Sequence, residues 1–201
     1  MSSKTSVLES HGSYWCNTFH CTSIMKSREE FLQDFCKDKV VLHVGCTDYP
    51  FDGLNGLHKY LDSCCTVDGV DIDKEGIEKF KKTFKGNFYN DISHVTGSYD
   101  IVLLPEVLEH IDSPGQFLNQ INSIDFTTLL ITVPDVLCCY NYNHFECNNN
   151  TYVEACHPDH VAWYSPHTLS NIIKRNTDCI PKSFNIVNGR SIMCIATKEK
   201  T

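Results

Sequence analysis

The chain is 201 residues long, enough for one domain of roughly 150 residues with an N-terminal extension. Hydrophobic residues make up 41% and charged residues 21%, a globular composition that excludes a disordered or fibrous chain. Lys and Arg total 17 against 25 Asp and Glu, a formal charge of −8, so no nucleic-acid partner is expected, since non-specific grip on long nucleic acid relies on basic surface. No apolar run approaches the ~20 residues that span a bilayer, and the first ten residues carry no apolar signal core. The 12 cysteines therefore read as thiols in a reducing, cytoplasmic setting. Several sit in core-like runs, as small buried hydrophobes do.

Residues 1–26 read as irregular and polar, with aromatics at Tyr14, Trp15 and Phe19 that could close over an acceptor. Ser27-Arg-Glu-Glu30 is a capping box and opens a helix through Cys36. The pattern then changes. Lys39 to Val44 is a nearly continuous apolar run ending at Gly45, which suits a strand buried on both faces. Leu54 to Leu61 reads as a short helix. Cys65 to Val70 is a second strand, and Asp73 caps a helix with Ile77, Phe80 and Phe84 on one face. Lys81, Lys82 and Lys85 read as its solvated face. Gly86 to Tyr89 is a third strand and Tyr99 to Leu104 a fourth. Ser113-Pro114 is an N-cap followed by Pro at the first helical position, opening a helix through Ile121. Thr127 to Val133 is a fifth strand, stopped by Pro134.

About 30 residues with little regular pattern come next, from Pro134 to Tyr164, and a loop of that length is usually functional. Ser165-Pro166 opens a helix through Lys174. Phe184 to Val187, then Asn188-Gly189, then Ser191 to Ala196 read as a hairpin, because Asn-Gly supplies the two positive-φ positions of a two-residue type I′ turn. Alternating strands and helices predict a doubly wound α/β fold with a mostly parallel seven-stranded sheet closed by a C-terminal antiparallel hairpin. Residues 1–38 read as an extension and helix, and residues 39–201 as the main domain.

In such a sheet ligands sit at the carboxyl ends of the strands, where the strand order reverses. Four such ends carry chemistry-bearing residues: Gly45-Cys46-Thr47-Asp48; Asp71-Ile72; Asn90-Asp91-Ile92; and Pro105-Glu106. Gly45 lets a ligand approach the backbone. An acid about 20 residues further on typically bonds ribose hydroxyls, a place Asp71 can fill.

Together these points resemble the class I S-adenosylmethionine-dependent methyltransferases. Val40-Val-Leu-His-Val-Gly-Cys46 is similar to their first glycine motif, Gly69-Val-Asp-Ile-Asp73 to the ribose-binding acid, Asn90-Asp91-Ile92 to the acid beside the adenine, and Tyr99 to Ile111 to the fourth strand and the segment after it. The likeness covers residues 39–197. It implies S-adenosylmethionine as cofactor over Gly45, Cys46, Asp48, Asp71, Ile72, Asp91, Ile92, Pro105 and Glu106. That family usually has an acid at His43 and further glycines at Thr47 and Tyr49. Gly45-Cys-Thr-Asp-Tyr-Pro50, Leu57-His-Lys59 and His157-Pro-Asp-His-Val161 resemble a bacterial subgroup associated with glycan modification, in which Cys-Thr-Asp replaces the glycines. The resemblance implies a methyltransferase acting on a small molecule or glycan. Positioning supplies much of the rate of such a transfer, and a hydroxyl acceptor needs a base, for which His110, His157 and His160 are the candidates.

Other readings stay open. Glu106, Glu109 and His110 fall at one-turn spacing and, with His160, resemble the metal site of small-RNA 3′-end 2′-O-methyltransferases. However, Glu-Val-Leu-Glu-His is common in methyltransferases that bind no metal, and none is expected here. A metal-assisted RNA 2′-O-methyltransferase is further disfavoured by the net charge. A non-catalytic domain of this fold, binding a partner, is favoured by the altered glycine motif and disfavoured by Asp71 and the His157–His160 segment. Cys138, Cys139, Cys147, Cys156, His144 and His157 fit no zinc spacing.

Overall fold

The computed structural model describes residues 18–47, 56–137, 145–148, 151–154 and 156–199. Tyr14, Trp15 and the expected cofactor residue Asp48 lie outside these. Along the chain run β1 (Cys21–Ile24), α1 (Arg28–Cys36), β2 (Val40–Val44), α2 (Leu57–Asp62), β3 (Thr66–Val70), α3 (Lys74–Thr83), β4 (Phe88–Tyr89), β5 (Ser98–Pro105) and α4 (Pro114–Asn122). Then come β6 (Asp125–Pro134), β7 (Phe145–Asn148), β8 (Thr151–Glu154), α5 (Pro166–Asn176), β9 (Cys179–Val187) and β10 (Ser191–Lys198).

Eight strands form one sheet in the order β1-β9-β10-β6-β5-β2-β3-β4. Strand β10 runs antiparallel to both β6 and β9, and every other pairing is parallel. The order in which strands are added reverses between β2 and β5, which are parallel, hydrogen-bonded neighbours. Their carboxyl ends flank the crevice where this architecture takes ligands. Successive strand residues alternate between two buried faces. Leu42, Val102 and Leu104 pack with Leu118 and Ile121 of α4 and with Leu169 and Ile173 of α5. Val41, Leu103 and Leu130 pack on the other face with Leu32 and Cys36 of α1 and with Leu57 and Leu61 of α2. Burial on both faces is why these strands read as nearly continuous apolar runs.

Local signals hold where they rest on backbone chemistry. At the start of α1 the Glu30 N–H donates to Ser27 Oγ (3.1 Å) and the Ser27 N–H to Glu30 Oε2 (3.0 Å). Asp73 caps α3 through the Glu75 N–H. Asn188 and Gly189 take φ of 53° and 61°, and the Arg190 N–H donates to the Val187 carbonyl (3.0 Å). The ladder begins at the pair Val187–Ser191, so the hairpin forms as expected but its loop has three residues, 188–190, and not the two of a type I′ turn.

Three expectations need correction. Segment 1–26 is not irregular throughout: Cys21–Ile24 adds an eighth strand, parallel to β9. The 134–164 stretch contains an antiparallel pair, β7 with β8. Ser113 takes the N-cap position of α4, but its side chain makes no cap hydrogen bond.

Candidate functional site

The crevice beyond β2 and β5 opens into a cavity of about 580 Å³ lined by Gly45, Thr47, Asp71, Asn90, Asp91, Glu106 and His110, with apolar wall from Val44, Ile72, Ile92, Val107 and Phe117. This is the volume range of small-molecule and cofactor pockets. Gly45 sits at its floor with φ +69°. A Cβ there would stand 2.5 Å from Val107 Cγ2, so the position excludes a side chain on two grounds.

Asp71, one residue beyond β3, organises the floor. Its Oδ2 accepts the Thr47 N–H at 3.0 Å and its Oδ1 accepts the Asp73 N–H at 2.9 Å. Each carboxylate oxygen has a further lone pair to offer a ligand. Ile72 next to it is 91% exposed, an apolar surface bare to the cavity. Beyond the neighbouring strand β4, Asp91 accepts from Ser93 Oγ (2.7 Å) and the Ser93 N–H (2.8 Å). Those two bonds, the side-chain one first, hold its carboxyl below the usual aspartate range.

Beyond β5 the backbone turns sharply. Glu106 has φ +54°, a left-handed conformation uncommon for a side-chain-bearing residue and often found at functional sites. Its N–H is shared between the Thr132 carbonyl (2.9 Å) and hydroxyl (3.2 Å). Arg28, on the first turn of α1, gives Nε and Nη2 to Glu29 (3.1 and 2.8 Å). Its Nη1 stands 3.8 Å from Glu106 Oε1. Glu109 is buried, and neither of its carboxyl oxygens has a hydrogen-bond partner. Burial, and after it the charge of Glu106, push its carboxyl well above the usual range, so it is protonated and neutral near pH 7.

The three candidate histidines come together. Ring centroids lie 4.7 Å apart for His110–His160, 5.5 Å for His110–His157 and 5.4 Å for His157–His160. The Glu109 carbonyl draws the 157–163 segment in by accepting the Val161 and Ala162 N–H groups (2.8 and 3.3 Å). The His110 Nδ1–H donates to the Asp159 carbonyl (3.3 Å), and the Asp159 N–H donates to His157 Nδ1 (3.3 Å). His160 stands edge-on to Trp163. Its burial, and then its proximity to His110 and His157, keep its pKa below the ordinary histidine value, so it is neutral near pH 7.

Seven of the sequence-derived residues therefore line the cavity: Gly45, Asp71, Ile72, Asp91, Ile92, Glu106 and His110. Cys46 does not; it is fully buried against Ile77, Phe80 and Phe88. Pro105 ends β5 in register with Thr132 and is not among the lining residues. His157 and His160 are not among the residues that line the cavity, though both rings lie beside His110. The mixed set Glu106, Glu109, His110 and His160 does not assemble as one close group among the described residues; the close group is His110, His157 and His160. Sequence reasoning missed Phe117 and Gln120, three residues apart on α4 and hence on one face. It also missed Arg28, which nothing in the local sequence ties to the site. Lys81, Lys82 and Lys85 are all exposed, as a solvated face requires.

The profile of a family described as a methyltransferase domain matches residues 17–176. No curated protein matches the sequence. Solved structures share the fold at low identity. A SAM-dependent methyltransferase from Aquifex aeolicus is 17% identical over 85% of this chain and 89% of its own, with a TM-score of 0.60. Magnesium protoporphyrin IX methyltransferase from Synechocystis PCC 6803, solved with bound SAH, is 13% identical over 85% and 80%, with a TM-score of 0.56. An S-adenosylmethionine-dependent methyltransferase from Mesorhizobium loti is 8% identical over 81% and 92%, with a TM-score of 0.55.

Proposed function

The chain belongs to the methyltransferase domain family, with S-adenosylmethionine as its methyl donor, and on that premise we propose that its acceptor is a hydroxyl of a small molecule or glycan. The observation that carries this reading is the cavity itself. It joins Gly45, Asp71, Asp91 and Glu106 at the reversal of strand order and has an imidazole, His110, at its edge.

The residues present fit the cofactor. Gly45 brings bare backbone to the floor, and Asp71 offers carboxylate lone pairs to ribose hydroxyls. Ile72 and Ile92 give apolar walls to a flat base, and Asp91, held as an anion, offers acceptors at its edge. Glu106 supplies negative charge for the ammonium of the methionine part. When bound, the cofactor supplies a methyl group on a sulfonium, already electrophilic. Thr47 takes the place of a glycine, and its backbone N–H is fixed by Asp71 rather than left for a ligand.

On the acceptor side, His110, the imidazole that lines the cavity, is placed to orient an incoming hydroxyl and take its proton. Glycan and small-molecule acceptors match a surface of net charge −8 better than RNA does. A cytoplasmic site of action suits Cys36, Cys179 and Cys194, which sit as buried thiols among core residues.

The test is release of S-adenosylhomocysteine, monitored by mass spectrometry, with panels of saccharides, small hydroxyl compounds and RNA 3′ ends. The expected result is turnover on a hydroxyl compound or saccharide that falls at least about 10²-fold in His110→Ala, the lower range for loss of a positioned base. Turnover on RNA ends alone would overturn the acceptor assignment.

A further inference from the structure

His110, His157 and His160 each bring one ring nitrogen to within 4.8 Å of the other two. This arrangement brings three imidazole nitrogens, the donor type that suits zinc-like ions, within reach of one another. The backbone fixes it. The bond from His110 Nδ1–H to the Asp159 carbonyl leaves that ring's lone pair on Nε2. A bond from the His160 N–H to the His157 carbonyl (3.0 Å) closes the turn that sets these two rings side by side. His160 Nδ1 is buried with no hydrogen-bond partner. The Asp159 carboxylate stands 3.8 Å from His157 Nδ1. A carbonyl on the far nitrogen of the His110 ring is the outer-shell contact that orients metal-binding histidines.

We propose that His110, His157 and His160 hold one divalent transition cation of the zinc type at the mouth of the cavity. Its remaining coordination position would take the acceptor's hydroxyl oxygen. Imidazole ligands select zinc and its transition-metal neighbours, whereas magnesium and calcium require oxygen-rich sets. The nearby carboxylates Glu106 and Glu109 are not in the close group. Three protein nitrogens leave a tetrahedral ion one open position, and an open position lets it bind and acidify a hydroxyl. Metal–nitrogen bonds of about 2.0–2.1 Å need the nitrogens closer together than they stand. His110 and His157 are exposed and their bonds to Asp159 are long, 3.3 Å each, so small ring rotations can bring the nitrogens together. A cation here would take over by charge the activation that an imidazole otherwise supplies by basicity, since a lone pair that holds the metal is not also a base. The inference rests on the proposed function only for the identity of the oxygen ligand.

The experiment uses full-length protein without a histidine tag, stripped with chelator and titrated with Co²⁺ alone. The expected result is a visible spectrum of tetrahedral Co²⁺ saturating at one ion per chain and displaced by Zn²⁺. His157→Ala and His160→Gln should each weaken binding at least about tenfold, while S-adenosylmethionine binding by calorimetry persists in both. Absence of saturable Co²⁺ binding, or unchanged affinity in both variants, would overturn the cation site and leave the cluster as hydrogen-bonded imidazoles. Failure of the unmodified protein to bind S-adenosylmethionine would instead overturn the methyl-transfer reading, and the Co²⁺ result would stand on its own.

Discussion

Asp71 and Thr47 are joined across the floor of the cavity, the carboxylate of one accepting the backbone N–H of the other at 3.0 Å. The end of β3 thereby shapes the turn after β2, and the residue expected to meet the ribose is also a structural clamp. Asp71→Ala strands the half-buried Thr47 amide and should destabilise by about 1–3 kcal/mol. Hydrogen exchange should accelerate at the Thr47 and Asp73 amides, while Asp71→Asn, which keeps an acceptor oxygen, should restore part of the protection. Unchanged exchange in Asp71→Ala would show that the clamp is not needed.

Gly45 faces two separable constraints. Its φ of +69° disfavours an L side chain by about 1–2 kcal/mol. The 2.5 Å approach of a Cβ to Val107 Cγ2 adds a steric part. Gly45→Ala should therefore lower the melting temperature and weaken cofactor binding. Adding Val107→Ala should recover the steric part and not the backbone part. Full recovery in the double variant, measured by denaturant unfolding, would show that backbone strain is negligible.

His43 and His58 form a buried pair with Nδ1 atoms 3.2 Å apart, and His58 also lies against Phe80, Phe84 and Phe88. Burial lowers His58 to about 4 from an ordinary 6.5. It lowers His43 as well, with help from the charges of His58 and Arg28. Below pH 6.5 the unfolded chain takes up protons that the folded chain refuses, so stability is full above that value and declines as pH falls toward 4. For His58 alone this amounts to roughly 3 kcal/mol. His58→Leu leaves His43 Nδ1 without this partner, so it should start less stable at pH 7 and lose less on acidification. Parallel pH profiles for variant and parent in urea titrations would contradict this.

Glu109 runs the opposite way. Its carboxyl is raised by burial and by Glu106, so the folded chain holds a proton that the unfolded chain gives up. That contribution is complete below the ordinary carboxylate range and is lost as pH rises. Glu109→Gln mimics the neutral form. It should differ little from the parent near pH 5 and become relatively more stable toward pH 9. A constant difference across that range would mean that Glu109 is ionised in the folded protein.

The central strands are legible in the sequence because burial on both faces writes itself as nearly continuous apolar runs, as in Val40–Val44, interrupted only by His43, and Ile101–Leu104 of β5. Caps such as Ser27–Glu30 are local chemistry and equally plain. Strand β1 is not, because three of its four residues are exposed and its pairing with β9 is a tertiary contact. At the site, Gly45, Asp71, Asp91 and Glu106 are readable from their positions after apolar strands. Cys46 departs from expectation because the residue after a positive-φ glycine turns inward here. The meeting of His110 with His157 and His160 depends on the Glu109 carbonyl catching a distant segment, a contact without a sequence signature. His43 stands where the resembled family carries an acid, and its partner His58 lies on α2, out of reach of motif reading.

The most direct test of the account is a calorimetric titration of the protein and of Asp71→Ala with S-adenosylmethionine. The account predicts saturable binding to the parent at one cofactor per chain and a loss of affinity in the variant of about 1–3 kcal/mol or more, the size of an unpaired polar group. No binding to the parent, or equal binding to both proteins, would contradict the placement of the methyl donor in this cavity.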